Sequence, residues 1–133
     1  MKAIALAATV LALATPAAAQ DDPPKLKGTL TYARSGGIAG VADDLTIKRD
    51  GRTRLNGRAF RLRKTEREAV AKLVAGVDFA TVKVDPKPPV PDAFSHELTY
   101  RGHTVGFDDP STPKKLKKLR DLLGRLISKY DQT

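Results

Sequence analysis

The chain of 133 residues carries 24 Lys and Arg against 15 Asp and Glu, a formal charge of +9, with seven aromatic residues and neither cysteine nor tryptophan. That length allows one domain with a single modest core, not two. The absence of cysteine excludes disulfide scaffolds, a lipid-modified N-terminal cysteine, zinc fingers, iron–sulfur ligation and thiol catalysis.

The first 19 residues read as a removable secretory signal peptide. Lys2 stands alone before an apolar, alanine-rich run from Ala3 to Thr15, and Pro16 then precedes the small residues Ala17, Ala18 and Ala19. This order of charged start, apolar middle and small-residue cleavage site is that of an export signal, and the run is too short for a membrane anchor. Cleavage after Ala19 leaves 114 residues with a charge of +8. The expected location is therefore secreted, or the periplasm and cell envelope of a bacterium, where a cysteine-free domain folds on its core alone. Residues 20–27 hold two Asp, two Pro and two Lys without periodicity and read as a mobile leader, with one domain over residues 28–130.

Within that domain, residues 28–34 alternate, with Leu30 and Tyr32 on one face of a strand. Ser35, Gly36 and Gly37 interrupt it, and a second strand over 38–48 places Leu45 and Ile47 together. Asp50-Gly51 marks a hairpin into 52–55, and Asn56-Gly57 marks another into 58–63. Thr65 with Glu68 three residues later forms a capping box, after which Ala69, Val70, Leu73, Val74 and Val77 make an apolar helical stripe. Four prolines in residues 85–91 make a stiff spacer. Residues 94–100 and 103–107 form a hairpin across Arg101-Gly102, with Leu98 opposite Val105 and His96 opposite Phe107. Thr112 caps a last helix with Pro113 in its first position, and Leu116, Leu119, Leu122, Leu123, Leu126 and Ile127 form its apolar face. The order predicts an α+β fold: a small antiparallel sheet of four to six strands with two helices on one face.

Catalytic equipment is sparse, and we expect no enzyme and no cofactor. His96-Glu97 begins like a metalloprotease HExxH signature, but Tyr100 stands where the second histidine belongs, and the local pattern is a strand. His96 and His103 lack a third ligand and make no metal site; we expect each to face solvent or pack on the sheet. Asp108 and Asp109 precede the last helix, where carboxylates favour the helix dipole and offset Lys114 and Lys115. Neither a nucleophile elbow nor a phosphate-binding loop motif occurs.

Positive charge concentrates in two places. The last helix carries Lys114, Lys115, Lys117, Lys118, Arg120, Arg125 and Lys129, and a basic row runs through positions 49, 52, 54, 58, 61, 63 and 64. With hardly any aromatic residues interleaved for base stacking, and with export, no nucleic-acid partner is expected. A peripheral anionic surface is the partner this charge admits.

Residues 34–40, Arg34-Ser35-Gly36-Gly37-Ile38-Ala39-Gly40, permit a sharp reversal between strands. With Tyr32 before and Val41 after, this stretch resembles the opening motif of the emfourin family, proteinaceous inhibitors of thermolysin-like metallopeptidases. The similarity continues through Leu45-Thr46-Ile47 and Asp50-Gly51, the helix near Thr65, Pro91-Asp92-Ala93-Phe94, the 99–105 hairpin and the leucine-rich last helix. It thus spans most of residues 28–127. The resemblance implies a compact, monomeric, non-enzymatic α+β domain that blocks a zinc protease's active-site cleft. It further implies a contact loop of Ser35, Gly36, Gly37, Ile38, Ala39 and Gly40, with Ile38 as apolar anchor and Ser35 orienting the loop or approaching the metal-bound water. The alternative expectation is a cell-envelope binding module that contacts anionic polymers or membrane through Lys114, Lys115, Lys117, Lys118 and Arg120.

Overall fold

The computed structural model describes residues 24–131; the signal-peptide reading on residues 1–19 and the first part of the leader lie outside them. Six strands and two helices follow in the order β1 (Leu30–Gly36), β2 (Val41–Ile47), β3 (Arg52–Leu55), β4 (Arg58–Arg61), α1 (Lys64–Ala75), β5 (Phe94–Tyr100), β6 (His103–Asp108) and α2 (Lys114–Tyr130). A short 3-10 turn, Asp109–Ser111, joins β6 to α2. The strands form one antiparallel sheet in the order β4-β3-β2-β1-β5-β6. The α1 connection carries the chain from one edge of the sheet back to pair with β1 at its centre. Among the described residues no helix is long and apolar enough to cross a membrane.

Two-residue alternation puts the apolar side chains on one face. Leu30 and Tyr32 of β1 lie between Ile47 and Leu45 of β2 and Tyr100 and Leu98 of β5, and Leu98 in turn faces Val105. All of these are buried. Both helices cover this face, α1 through Val70, Ala71 and Val74, and α2 through Leu116, Leu119, Leu123, Leu126 and Ile127. The arrangement is α+β. On the open face small polar residues pair across strands, as Thr99 Oγ1 does with Thr104 Oγ1 at 2.9 Å. The hairpin expected across Arg101-Gly102 forms with the expected register, Leu98 opposite Val105 and His96 opposite Phe107.

Several local expectations are corrected. The leader ends sooner than residue 27: Leu26 joins the core, and the Lys27 N–H donates to the Tyr100 hydroxyl at 2.8 Å. The capping residues of α1 are two positions earlier than Thr65 and Glu68, because Glu66 Oε1 accepts the Arg63 N–H at 2.9 Å. Glu66 also accepts from Lys129 Nζ at 2.6 Å and the Tyr130 hydroxyl at 2.5 Å, so it ties the start of α1 to the end of α2. This tertiary use outweighs the local Thr65 motif. Ala71, not Ala69, is buried on α1. Thr112 closes the 3-10 turn by donating to the Asp109 carbonyl at 2.9 Å, and Pro113, not Thr112, is the capping position of α2.

Leu123 is fully buried, whereas Leu122 on the neighbouring helical position is only partly so. Truncating Leu123 leaves a cavity in the sheet–helix interface as well as losing transfer energy. We expect Leu123→Ala to lower unfolding stability by about 3 kcal/mol and Leu122→Ala by about 1 kcal/mol or less, read from urea denaturation midpoints.

Candidate functional site

The glycine-rich segment divides between strand and turn. β1 does not break at Ser35 but continues through Gly36, which pairs with Val41 on one side and Phe94 on the other. Ser35 is therefore a strand residue, opposite Ala42 and Ser95, exposed on the open face of the sheet. Gly37, Ile38, Ala39 and Gly40 form the turn, closed by the Gly40 N–H donating to the Gly37 carbonyl at 3.2 Å. The second strand accordingly starts at Val41 rather than Ile38.

Two glycines are required by geometry. Gly36 has φ +118°, and a Cβ there would lie 2.7 Å from the Ala93 carbonyl oxygen, so no side chain fits without moving backbone. Gly37 has φ +78°, and its Cβ would come within 3.0 Å of the Phe94 ring. Phe94 thus supports the turn from below, and the Arg34 guanidinium lies over the ring 5.3 Å from its centroid. Above this support Ile38 is 89% exposed, and the other large exposed apolar side chain among the described residues is Val90. Val90 accepts the Ala93 N–H through its carbonyl at 3.2 Å, and Ala93 abuts Gly36.

Beside the turn the inner face of the sheet becomes polar. His96 packs on the sheet, buried between Tyr32, to which its ring is parallel, and Phe107. Its Nε2 lies 2.5 Å from Asp109 Oδ1, and its Nδ1 lies 2.7 Å from the Tyr32 hydroxyl. The carboxylate only accepts, so Nε2 carries the proton and the Tyr32 O–H donates to Nδ1. Asp109 Oδ2 takes the Phe94 N–H at 3.0 Å. One strand across, Asp43 is buried and accepts from Arg34 Nε at 2.9 Å and Asn56 Nδ2 at 3.0 Å.

A cleft of about 1130 Å³ opens between α2 and this polar row. Arg34, Phe94, His96 and Asp109 line one side, and Lys114, Lys117, Arg120, Asp121, Gly124 and Arg125 line the helix side. Of the basic residues expected to act together, Lys114, Lys117 and Arg120 do meet here. Lys118 is exposed outside the cleft, and Lys115 lines a separate hollow with the 81–87 segment. Arg34 was not grouped with them on sequence grounds, although it sits two positions beyond Tyr32 and so shares its face. The other basic row also splits: Arg52, Arg54 and Arg61 gather with Lys48 around a hollow formed by β2, β3 and β4. No protein-family model matches this chain, and no curated protein matches it.

Burial holds the His96 imidazole below its ordinary value of 6.5, opposed by Asp109 and reinforced by Arg120 and Arg34. Burial pushes the Tyr32 hydroxyl up to about 12. For Asp109 burial acts upward, but the hydrogen bonds from His96 and the Phe94 N–H prevail and leave it below 3.8. A depressed histidine contributes stability that is present in full above about pH 6.5 and is lost as the pH falls through the lowered native value. Asp109 adds a second loss below about pH 4. We expect the melting temperature to fall between pH 7 and 5, and His96→Gln to remove that part of the slope while keeping the loss below pH 4; scanning calorimetry across this range checks it.

Proposed function

We propose that the exported chain is a proteinaceous inhibitor of a thermolysin-like metallopeptidase, acting through the turn at residues 37–40. The observation that carries this reading is Ile38: a bulky aliphatic side chain, 89% exposed, at the tip of a turn whose backbone is fixed from both sides. Such a side chain in water costs free energy that a hydrophobic specificity pocket recovers, about 2–3 kcal/mol on full burial. Two strands anchor the turn and Phe94 supports it, so little conformational entropy is lost on docking. Main-chain groups of residues 38 and 39 then pair with the substrate-binding edge of the protease cleft, as an extended substrate does.

Ser35 projects from the open face rather than from the turn tip. From that position it flanks the contact that Ile38 leads. The resemblance to the emfourin motif supports the same reading, since its core residues are those that form the turn and its first strand.

Titrating a thermolysin-like metallopeptidase with the chain from Gln20 onward tests the proposal. Activity should fall to completion near equimolar inhibitor at high enzyme concentration. Ile38→Asp should weaken inhibition by roughly 100-fold or more with an unchanged melting temperature, since it replaces an anchor with a desolvated charge. No inhibition by the parent chain up to tens of micromolar, by order of magnitude, would refute the proposal.

A further inference from the structure

We infer that the cleft between α2 and the Arg34–Phe94 end of the sheet is a docking groove for a short acidic segment of a partner protein, a surface separate from the Ile38 turn and argued without it. Five cationic side chains, Arg34, Lys114, Lys117, Arg120 and Arg125, line it against two carboxylates, Asp109 and Asp121. Those carboxylates are already engaged, Asp109 by His96 and Asp121 by Arg120 at 2.9 Å. Lys114, Lys117 and Arg125 form no ion pair among the described residues.

The two arginines nearest the floor are held in place. Arg34 is fixed by Asp43, and Arg120 donates through Nη1 to Thr112 Oγ1 at 2.7 Å. Their side chains are only 20% and 18% exposed and already carry carboxylate partners, Asp43 and Asp121, so they shape the floor while Lys114, Lys117 and Arg125 supply the uncompensated charge. Gly124 lies along that floor, where a Cβ would stand at an ordinary contact distance of 3.5 Å from Arg34 Nη1.

Dimensions and composition select the occupant. Lys114 and Arg125 are separated by about 16 Å along α2 at 1.5 Å per residue, the reach of roughly five residues of extended peptide. A peptide that mixes acidic and apolar residues matches the cations and the apolar surface of Phe94 and Pro110 that line the cleft together.

The test uses a dye-labelled peptide of alternating Glu and Leu, and its Gln counterpart, with the full exported chain, read by fluorescence anisotropy. The Glu peptide should bind with an affinity that falls as salt rises, and the Gln peptide should not. Lys117→Glu with Arg125→Glu should weaken binding by roughly tenfold or more. Lys115→Glu with Lys118→Glu makes the same change in net charge outside the cleft and should leave binding within about twofold of the parent. All four positions are exposed, so melting temperatures should hold in both variants. Ile38→Asp should bind the peptide as the parent does, which separates this result from any failure of protease inhibition. Equal binding of the Gln peptide, equal loss in both double variants, or displacement of the peptide by heparin fragments or phosphatidylglycerol vesicles with no difference between the two double variants would overturn the inference.

Discussion

The Asp109 carboxylate holds the arrangement on which both surface features depend. One oxygen accepts the Phe94 N–H and the other meets His96 Nε2, so the turn that launches α2 is fixed to the first residues of β5. His96 passes the constraint on to Tyr32 at the centre of the sheet. His96 and Tyr32 are buried, so leaving either of them unpaired is costly, while Asp109 stands at the edge of that buried pair. The direction in which α2 leaves the sheet, and the place where the Phe94 ring stands beneath the glycine turn, are therefore set by one side chain. Without it α2 still has an apolar face to bury, but its entry point is no longer specified.

The reason a cleft exists here lies in the register. Three adjacent strands change character on the same row of the helix-facing side: Leu45 gives way to Asp43 on β2, Tyr32 to Arg34 on β1, and Leu98 to His96 on β5. On the apolar side of that row α2 seals against the sheet with Leu116, Leu119, Leu123, Leu126 and Ile127. Beyond it the sheet presents ionic and hydrogen-bonding groups, which a helix of aliphatic side chains covers only at a desolvation cost. The helix accordingly keeps lysine, arginine and glycine on that side, and water retains access. The cleft is the boundary where hydrophobic sealing ends, not a gap in an otherwise continuous core.

Much of the architecture was legible because period-two alternation and turn residues are local signals. Asn56-Gly57 and Arg101-Gly102 take positive φ at both positions, which suits tight hairpins and sets the register of the strands beside them. What could not be read locally was decided by partners far along the chain. Glu66 displaced the Thr65–Glu68 box because Lys129 and Tyr130, more than sixty residues along the chain, fold back onto it. The role of His96 depends on Tyr32 and Asp109, and only sheet pairing brings all three together. The basic residues of α2 were visible as a group, but their division into cleft and outer surface follows from the helix's rotation. Arg34 and Asp43 were within reach, since each continues the alternation of an apolar pair onto the inner face. A charge two residues beyond a buried aromatic is the trace such a polar row leaves in sequence.

Phe94 is where the turn and the cleft meet, its ring under Gly37 on one side and under the Arg34 guanidinium on the other. The two surfaces use different physics. An exposed Ile38 on a fixed turn gives short-range contact energy, which governs how long a complex lasts once formed. A row of cations along α2 gives a field extending about a Debye length, which governs how often an acidic surface arrives in the right orientation. Because β1 carries both Arg34 and the start of the turn, the cleft and Ile38 stand at a fixed offset from one another. The positive charge is thus divided, one share along the cleft and another around the hollow of β2, β3 and β4.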